Sequence, residues 1–211
     1  VKLKLAETFF SLQGEGPLMG YPTFFIRFFG CNLSCRWCDT LYARTGSAYV
    51  AMEAEEVIRY WKKNYPEIPY VAITGGEPLL HEESIPLMEQ LVSEGAVVVL
   101  ETNGSLDISR VPNGVITVMD IKTPSSGMTQ FQRWENLQYL KPQDVLKFVI
   151  ANEEDFQWTL RIIEEKKLYQ NPCYLSPAYP FLDPTVLAKW ILNSRKALRL
   201  QIQLHKFLNL K

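Results

Sequence analysis

Three cysteines fall within eight residues of one another in "GCNLSCRWCD": Cys31, Cys35 and Cys38, spaced C-x3-C-x2-C. Closely spaced thiolates of this kind hold iron–sulfur clusters, and a cubane normally takes four of them. The remaining cysteine, Cys173, is far away and opens a short apolar run, where it reads as a small core residue. Three ligands leave one iron open, which suits a catalytic metal and not a structural one. A zinc site completed by Cys173 or by a histidine, His81 or His205, is the structural alternative. The spacing weakens it, because paired C-x2-C units are the usual sign of zinc.

A second set of residues points to a small polar ligand. In "FSLQGEG", Gly14 and Gly16 let backbone approach a ligand closely. Gln13 offers donors and an acceptor together, and Glu15 accepts two donors, a pairing that suits a pterin or guanine edge. The plain alternative is a tight turn with solvated side chains. Arg27 interrupts the apolar run "FFIRFFG". A guanidinium buried there must be paired, and a carboxylate is its natural bidentate partner. That partner is either internal, Glu7 or Glu15, or belongs to a substrate. Strand alternation puts Arg27 on the face of Phe25 and Phe29. Thr40, two residues after Cys38, offers a hydroxyl to a hard cation such as magnesium, or to a helix N-terminus.

These residues need a scaffold, and the chain reads as alternating strands and helices. Strands are expected at "KLKLAE", "TFFIRFFG", "YVAIT", "AVVVLET", "VITVMDI", "VLKFVIA", "CYLSP" and "LRLQIQLHK". Helices are expected over 52–64, 84–94, 130–140, 153–165 and 184–193, the last opened by Asp183-Pro184. Alternation of this kind gives an α/β fold with parallel strands, either a partial open barrel or a doubly wound sheet. Chemistry in both gathers at the C-terminal strand ends. There the chain places Thr74-Gly75-Gly76-Glu77-Pro78, Glu101-Thr102-Asn103-Gly104, Asp120 to Gly127, Ser176-Pro177 and Gln203-Leu204-His205-Lys206. A single polar end is a turn; a series of them is a rim that holds a polar ligand.

The bulk properties narrow the class. A chain of 211 residues without linkers or low-complexity stretches is expected to form one domain over 1–211. A net charge of −1 and no basic run remove the electrostatic footprint of a nucleic-acid binder. No apolar run approaches a membrane span, and "VKLKLAETFF" lacks the apolar core of a signal peptide. Clustered cysteines without a disulfide framework point to a reducing, cytoplasmic setting.

Cys31, Cys35 and Cys38, with Trp37 just before the last cysteine, resemble the signature of the radical S-adenosylmethionine (radical SAM) superfamily, and Gly75-Gly76-Glu77-Pro78 is similar to its "GGEP" motif. The resemblance implies a partial (β/α)6 barrel of the radical SAM type. It implies a 4Fe-4S cluster on the three cysteines and SAM chelated to the open iron, where reductive cleavage yields a 5′-deoxyadenosyl radical. It further implies SAM contacts at Trp37, Cys38, Asp39, Gly75, Gly76, Glu77, Thr102, Asn103, Lys122, Ser125 and Ser176.

Phe9 to Gly16, Arg27, Asp39-Thr40 after the cysteines and "QLHK" together resemble the 7-carboxy-7-deazaguanine synthase family. That resemblance implies conversion of 6-carboxy-5,6,7,8-tetrahydropterin to 7-carboxy-7-deazaguanine with loss of ammonia, on the way to 7-deazapurines such as queuosine. Leu12, Gln13, Gly14, Glu15, Arg27, Thr74 and His205 would meet the substrate, and Thr40 would bind Mg2+. A homodimer and an external one-electron reductant such as flavodoxin or ferredoxin are implied too. Rival readings are an activase that installs a glycyl radical on a partner protein, a non-catalytic iron–sulfur electron carrier and a zinc-stabilised binding module.

Overall fold

The computed structural model describes residues 2–210. Its strands are β1 (Lys2–Leu12), β2 (Pro22–Phe28), β3 (Val50–Glu53), β4 (Tyr70–Gly75), β5 (Val97–Thr102), β6 (Ile116–Ile121), β7 (Val145–Ile150), β8 (Cys173–Pro177) and β9 (Arg199–Leu200). Its helices are α1 (Leu41–Arg44), α2 (Ala54–Asn64), α3 (Ser84–Ser93), α4 (Glu153–Glu165), α5 (Pro184–Ser194) and α6 (Leu204–Leu208). All strands join one open sheet in the order β3-β1-β2-β4-β5-β6-β7-β8-β9. β1 is antiparallel to β2 and β3, whereas β2 and every strand from β4 onward run parallel. The expected partial barrel is therefore present, extended by an antiparallel flap on its first strand.

The helices lie where their caps and apolar faces put them. In α2 the Glu53 and Glu56 side chains form a reciprocal capping box, and Val57, Ile58 and Trp61 are buried. Asn152 caps α4 through Asp155 N, and Asp183 caps α5 through Thr185 N with Pro184 in the first turn. These helices cover the outer face of the sheet. One apolar cluster joins Val57, Trp61, Leu87 and Leu91 to Leu3, Phe24 and Val71. A second joins Phe156, Ile163, Leu187 and Ile191 to Met119, Phe148 and Leu175. Cys173 lies in the second cluster, as the small core residue expected.

The inner face changes character along the strands. Its floor is Val99, Val118, Val145 and Tyr174 from β5 to β8, packed against Leu18. Two residues further along the same strands stand Glu101, Asp120, Lys147 and Ser176, which alternation places on the same face. On β2 and β4 the equivalent positions are Arg27 and Thr74, paired in register. A dry floor thus carries a polar rim.

Three segments differ from expectation. Residues 130–140 form short 3-10 turns over Thr129–Phe131 and Trp134–Tyr139, not an α-helix. Gln132 and Asn136 turn inward there to donate to the Gly104 carbonyl at 3.2 and 3.1 Å. The last expected strand survives only as β9, since beyond it Leu204 N donates to Gly14 O at 3.0 Å and the chain enters α6. β3 was not expected; it is a short edge strand whose Val50 and Ala51 are exposed, so no apolar alternation marks it.

Candidate active site

A cavity of about 400 Å³ opens at the C-terminal ends of the parallel strands. Cys31, Cys35, Trp37, Cys38, Asp39 and Thr40 line one side. Gly75, Gly76, Thr102, Asn103 and Lys122 line the rim beside them. Leu12, Gln13, Gly14, Glu15, Arg27, Thr74 and His205 line the rest. The residues expected to serve chemistry are thus gathered in one place, with three exceptions.

Glu77, Ser125 and Ser176 are not part of the cavity wall. The Glu77 carboxylate is fully buried and turned into the protein, accepting from Thr102 Oγ1 (2.9 Å), Asn103 N (2.7 Å) and Leu79 N (3.0 Å). It ties the β4 end to the β5 end, and burial pushes its pKa up despite those bonds. Ser125 N donates to Asp155 Oδ1 and Ser125 Oγ accepts from Asn152, so the residue belongs to the α4 cap. Ser176 lies beside the cavity-lining Val149 in register, buried, with a hydroxyl that has no partner among the described residues.

The cysteine loop is held by its neighbours. Gly76 has no room for a side chain: a Cβ would lie 2.1 Å from Gly30 O and 2.9 Å from Cys31 Cβ. Asn103 Nδ2 donates to Asn32 Oδ1 at 3.1 Å and faces Cys31 Sγ at 3.7 Å, while Leu33 N donates to the same sulfur at 3.4 Å. None of the cysteines is in a disulfide. Burial pushes the thiols of Cys31 and Cys35 up, and the Lys122 ammonium opposes this in both. Thr40 stands at the N-terminus of α1 but makes no capping bond; its hydroxyl lies 3.8 Å from Cys38 Sγ.

The opposite side is a web of ion pairs. Arg27 Nε donates to Glu7 Oε1 at 3.1 Å, which is the internal partner anticipated, and Tyr42 Oη donates to the same oxygen at 2.6 Å. Burial, then that bond to Glu7, pushes the Tyr42 phenol up to about 12. The guanidinium also lies over the Phe9 ring, which stacks on Phe25. Its terminal nitrogens carry no further hydrogen bond among the described residues.

The residues of the "QGEG" loop behave differently from expectation. Gln13 Nε2 donates to Glu101 Oε1 at 3.1 Å, and Gln13 Oε1 accepts from Glu15 N at 3.3 Å. Glu15 pairs with Lys147 and accepts from Gln203 Nε2 at 2.6 Å. Both side chains are therefore held by the protein and do not project a free edge. Burial pushes Glu15 up, but Lys147, Gln203 and His205 together outweigh it and hold the carboxyl below its ordinary value. Lys147 in turn is raised, since Glu15, Asp120 and Glu101 together overcome the burial that would lower it. Glu101 also accepts from Thr74 Oγ1 at 2.9 Å. Lys122 pairs with Asp120 at 2.9 Å, leaving Asp120 Oδ1 buried without a hydrogen-bond partner among the described residues.

The C-terminal segment closes the cavity. A Cβ on Gly14 would lie 2.2 Å from His205 Nδ1, so only glycine admits the imidazole. Lys206 pairs with Asp39 at 3.0 Å, next to Cys38, and Gln201 Nε2 donates to Gly16 O at 3.3 Å. Burial holds the His205 pKa below the ordinary histidine value, with Glu15 and Asp39 acting against it. Tyr42 and Lys147 are not singled out in the sequence reading, whereas Glu101, Asp120 and Gln203 fall in its polar rim without individual roles. A signal for Lys147 exists: it breaks "VLKFVI" as Arg27 breaks "FFIRFF".

The radical SAM superfamily profile matches residues 25–116, from β2 to β6. A 7-carboxy-7-deazaguanine synthase from Methanospirillum hungatei is 41% identical over 209 residues, covering 99% of this chain and 86% of the relative. Another, from Koribacter versatilis, is 36% identical and covers 98% of this chain and 96% of the relative. This chain belongs to the 7-carboxy-7-deazaguanine synthase family. The crystal structure of QueE from Escherichia coli shares the fold of this family member, with a TM-score of 0.81 at 23% identity over 97% of this chain and 95% of that one. Streptococcus suis SuiB bound to S-adenosylmethionine shares it more distantly, with a TM-score of 0.56 at 14% identity over 82% of this chain and 45% of that one.

A radical SAM enzyme uses a 4Fe-4S cluster and SAM, and the residues present suit both. The cysteines are free and partly buried, and Cys31 is met by two N–H donors, which favour a thiolate ligand. Among the described residues no three Cys, His, Asp or Glu side chains converge as a single metal ion requires. Cluster ligands sit on separate irons and need no such convergence. The unpartnered Asp120 Oδ1 beside Lys122 and the two glycines at the β4 end offer a polar cradle next to the thiols. Among the described residues no helix is long and apolar enough to cross a membrane.

Proposed function

We propose that this chain performs its family's reaction in the cavity: 6-carboxy-5,6,7,8-tetrahydropterin is converted to 7-carboxy-7-deazaguanine with loss of ammonia. It is thereby a radical SAM lyase of 7-deazapurine (queuosine) biosynthesis. The observation that carries the reading is the union, in one cavity, of three free cysteines and an arginine whose terminal nitrogens remain available. Family membership supports it over a glycyl-radical activase or an electron carrier.

Cys31, Cys35 and Cys38 would hold the cluster, and Trp37, Asp39, Gly75, Gly76, Thr102, Asn103 and Lys122 would flank SAM. When bound, cluster and SAM supply a one-electron reductive cleavage and with it hydrogen abstraction from the substrate. The protein's own part is positioning and exclusion of water. Arg27, fixed through Nε by Glu7, turns its outer nitrogens to the substrate carboxylate. Residues 12–14 meet the heterocycle through the backbone groups and lone pairs that Tyr21, Gly20 and Leu204 leave unused, because the Gln13 amide is engaged as well. Thr74 adds a hydroxyl, and His205, kept neutral by burial, offers one ring nitrogen as donor or acceptor. Glu15 serves the substrate indirectly, by holding its loop.

Thr40 would give its uncapped hydroxyl to Mg2+, with substrate oxygens and water completing the shell. The reading further includes one catalytic unit over residues 1–211, a homodimer, a cytoplasmic setting, and an external one-electron donor such as flavodoxin or ferredoxin. The test is anaerobic reconstitution of iron and sulfide, then assay with the carboxy-tetrahydropterin, SAM and reductant. Formation of the deazaguanine acid with ammonia is expected. An iron-replete protein that forms none overturns the assignment.

A further inference from the structure

We infer that Lys147 is a positioning residue for this reaction, acting through Glu15 to hold the backbone of residues 12–14 where the pterin is met. The inference rests on the proposed substrate of the cavity. Three observations carry it. Lys147 interrupts an apolar strand, two residues beyond the dry floor residue Val145, and lines the cavity. Its ammonium contacts the Glu15 carboxylate, whose other oxygen accepts from Gln203. Glu15 N in turn donates to Gln13, and Gln13 donates to Glu101.

The result is a chain of contacts from β7 through the loop to β5. Every polar atom of the Gln13 side chain is used in it, so the loop cannot rotate an amide toward a ligand without breaking the chain. A buried ion pair is weak evidence for stability, since apolar residues of the same volume do as well. Its value here is geometric. Lys147 is the countercharge that allows Glu15 to sit in the wall, and it also feels the Asp120 and Glu101 carboxylates, Asp120 being its neighbour in register. Removing the ammonium leaves three carboxylates, Glu15, Asp120 and Glu101, of which Asp120 keeps its pair with Lys122. Glu15 then moves toward water and takes Gly14 with it.

The test uses the reconstituted holoenzyme under anaerobic conditions, with Lys147→Met and the double variant Glu15→Gln/Lys147→Met. The probes are 6-carboxypterin, an unreactive oxidised analogue, for equilibrium binding, and the tetrahydropterin for turnover. For Lys147→Met, a rise of about tenfold or more in both pterin Kd and KM is expected, with 5′-deoxyadenosine formed in excess of product. The SAM-induced change in the EPR spectrum of the reduced cluster should stay as in the parent. A purely structural lysine would lower the melting temperature and leave Kd, KM and coupling unmoved, and that result overturns the inference. The double variant removes both charges and keeps an amide for Gln203, so its pterin Kd should return to within about threefold of the parent. A double variant that folds but binds as poorly as the single one shows that Lys147 does not act through Glu15, and also overturns it. If Lys147→Met does not fold, the double variant alone decides, a Kd raised tenfold or more being the adverse outcome. Absence of product from the parent enzyme would instead overturn the proposed function, and the binding arm tells the two failures apart.

Discussion

The cysteine loop, residues 30–40, and the loop of residues 12–16 face the same cavity and use their polar atoms in opposite ways. Cys31, Cys35 and Cys38 are free thiols, and Thr40 at the head of α1 makes no capping bond. The loop is fixed instead by what surrounds it: the Gly76–Gly30 contact and the amide of Asn103. In residues 12–16 the loop's own side chains join its backbone bonds in the fixing, Gln13 on Glu101 and Glu15 on Lys147 and Gln203. The cysteine thiols are left free of such pairs, although Asp39 beside them is held by Lys206. A loop that presents backbone engages its side chains with the wall.

The contrast can be broken by substitution, beginning with the largest effect. Cys38→Ala removes a thiolate that nothing nearby replaces, since Cys173 is buried in the second core cluster. Iron content and the cluster's visible absorbance after reconstitution should collapse, and turnover should fall by on the order of a thousandfold or more, with the apo fold intact by circular dichroism. Glu15→Ala should do the reverse. It leaves Lys147 buried without its main partner, and breaking such a pair costs about 3–5 kcal/mol. Denaturant unfolding should show that loss, while the cluster content of the folded fraction stays normal. Equal loss of iron in both variants would mean the loops are not separable.

Arg27→Lys keeps the charge but removes the planar fork. The KM for the carboxylated pterin should rise roughly tenfold with little change in SAM binding, measured by steady-state kinetics. His205 gives a pH test. Its folded pKa lies below the ordinary value, so the unfolded chain binds more protons in the window between the folded value and about 6.5. Stability should therefore rise with pH across that window, and His205→Gln should flatten the slope in urea titrations. The smallest effect belongs to Lys206→Ala. The Asp39 partner is about half exposed, so the pair contributes only about 0.2–1 kcal/mol, and its contribution should fade with added salt.

Much of this was legible in the chain. The 153–165 helix has the expected bounds because Asn152 caps it and acids fill its first turn. Cys31, Cys35, Cys38 and Arg27 were found because type and spacing alone mark them. Lys147 was missed although it breaks an apolar strand in the same manner as Arg27. Its meaning depends on which face of β7 looks inward, and only the register with Asp120 fixes that. The direction of the Glu77 carboxylate is hidden for the related reason that a side chain past a strand end turns to either side; here Thr102, Asn103 and Leu79 draw it inward. The run "LRLQIQLHK" alternates like a strand, but Gln201 and Gln203 find partners on the 12–16 loop and lead the backbone off the sheet. Such long-range competition leaves no local trace.

That last contact has a consequence for how the enzyme is made. Gln203 and Glu15 are 188 positions apart, and Gln201 reaches Gly16 across 185. The thiols of residues 31–38 are therefore made well before the segment that reaches back to the 12–16 loop. The cavity gains the part of its wall formed by Gln203, His205 and Lys206 only after β8 and α5 have been made. Contacts this distant along the chain are slow to close. The 12–16 loop is thus pinned by chain made long after it, so its final position depends on completion of the sheet up to β9.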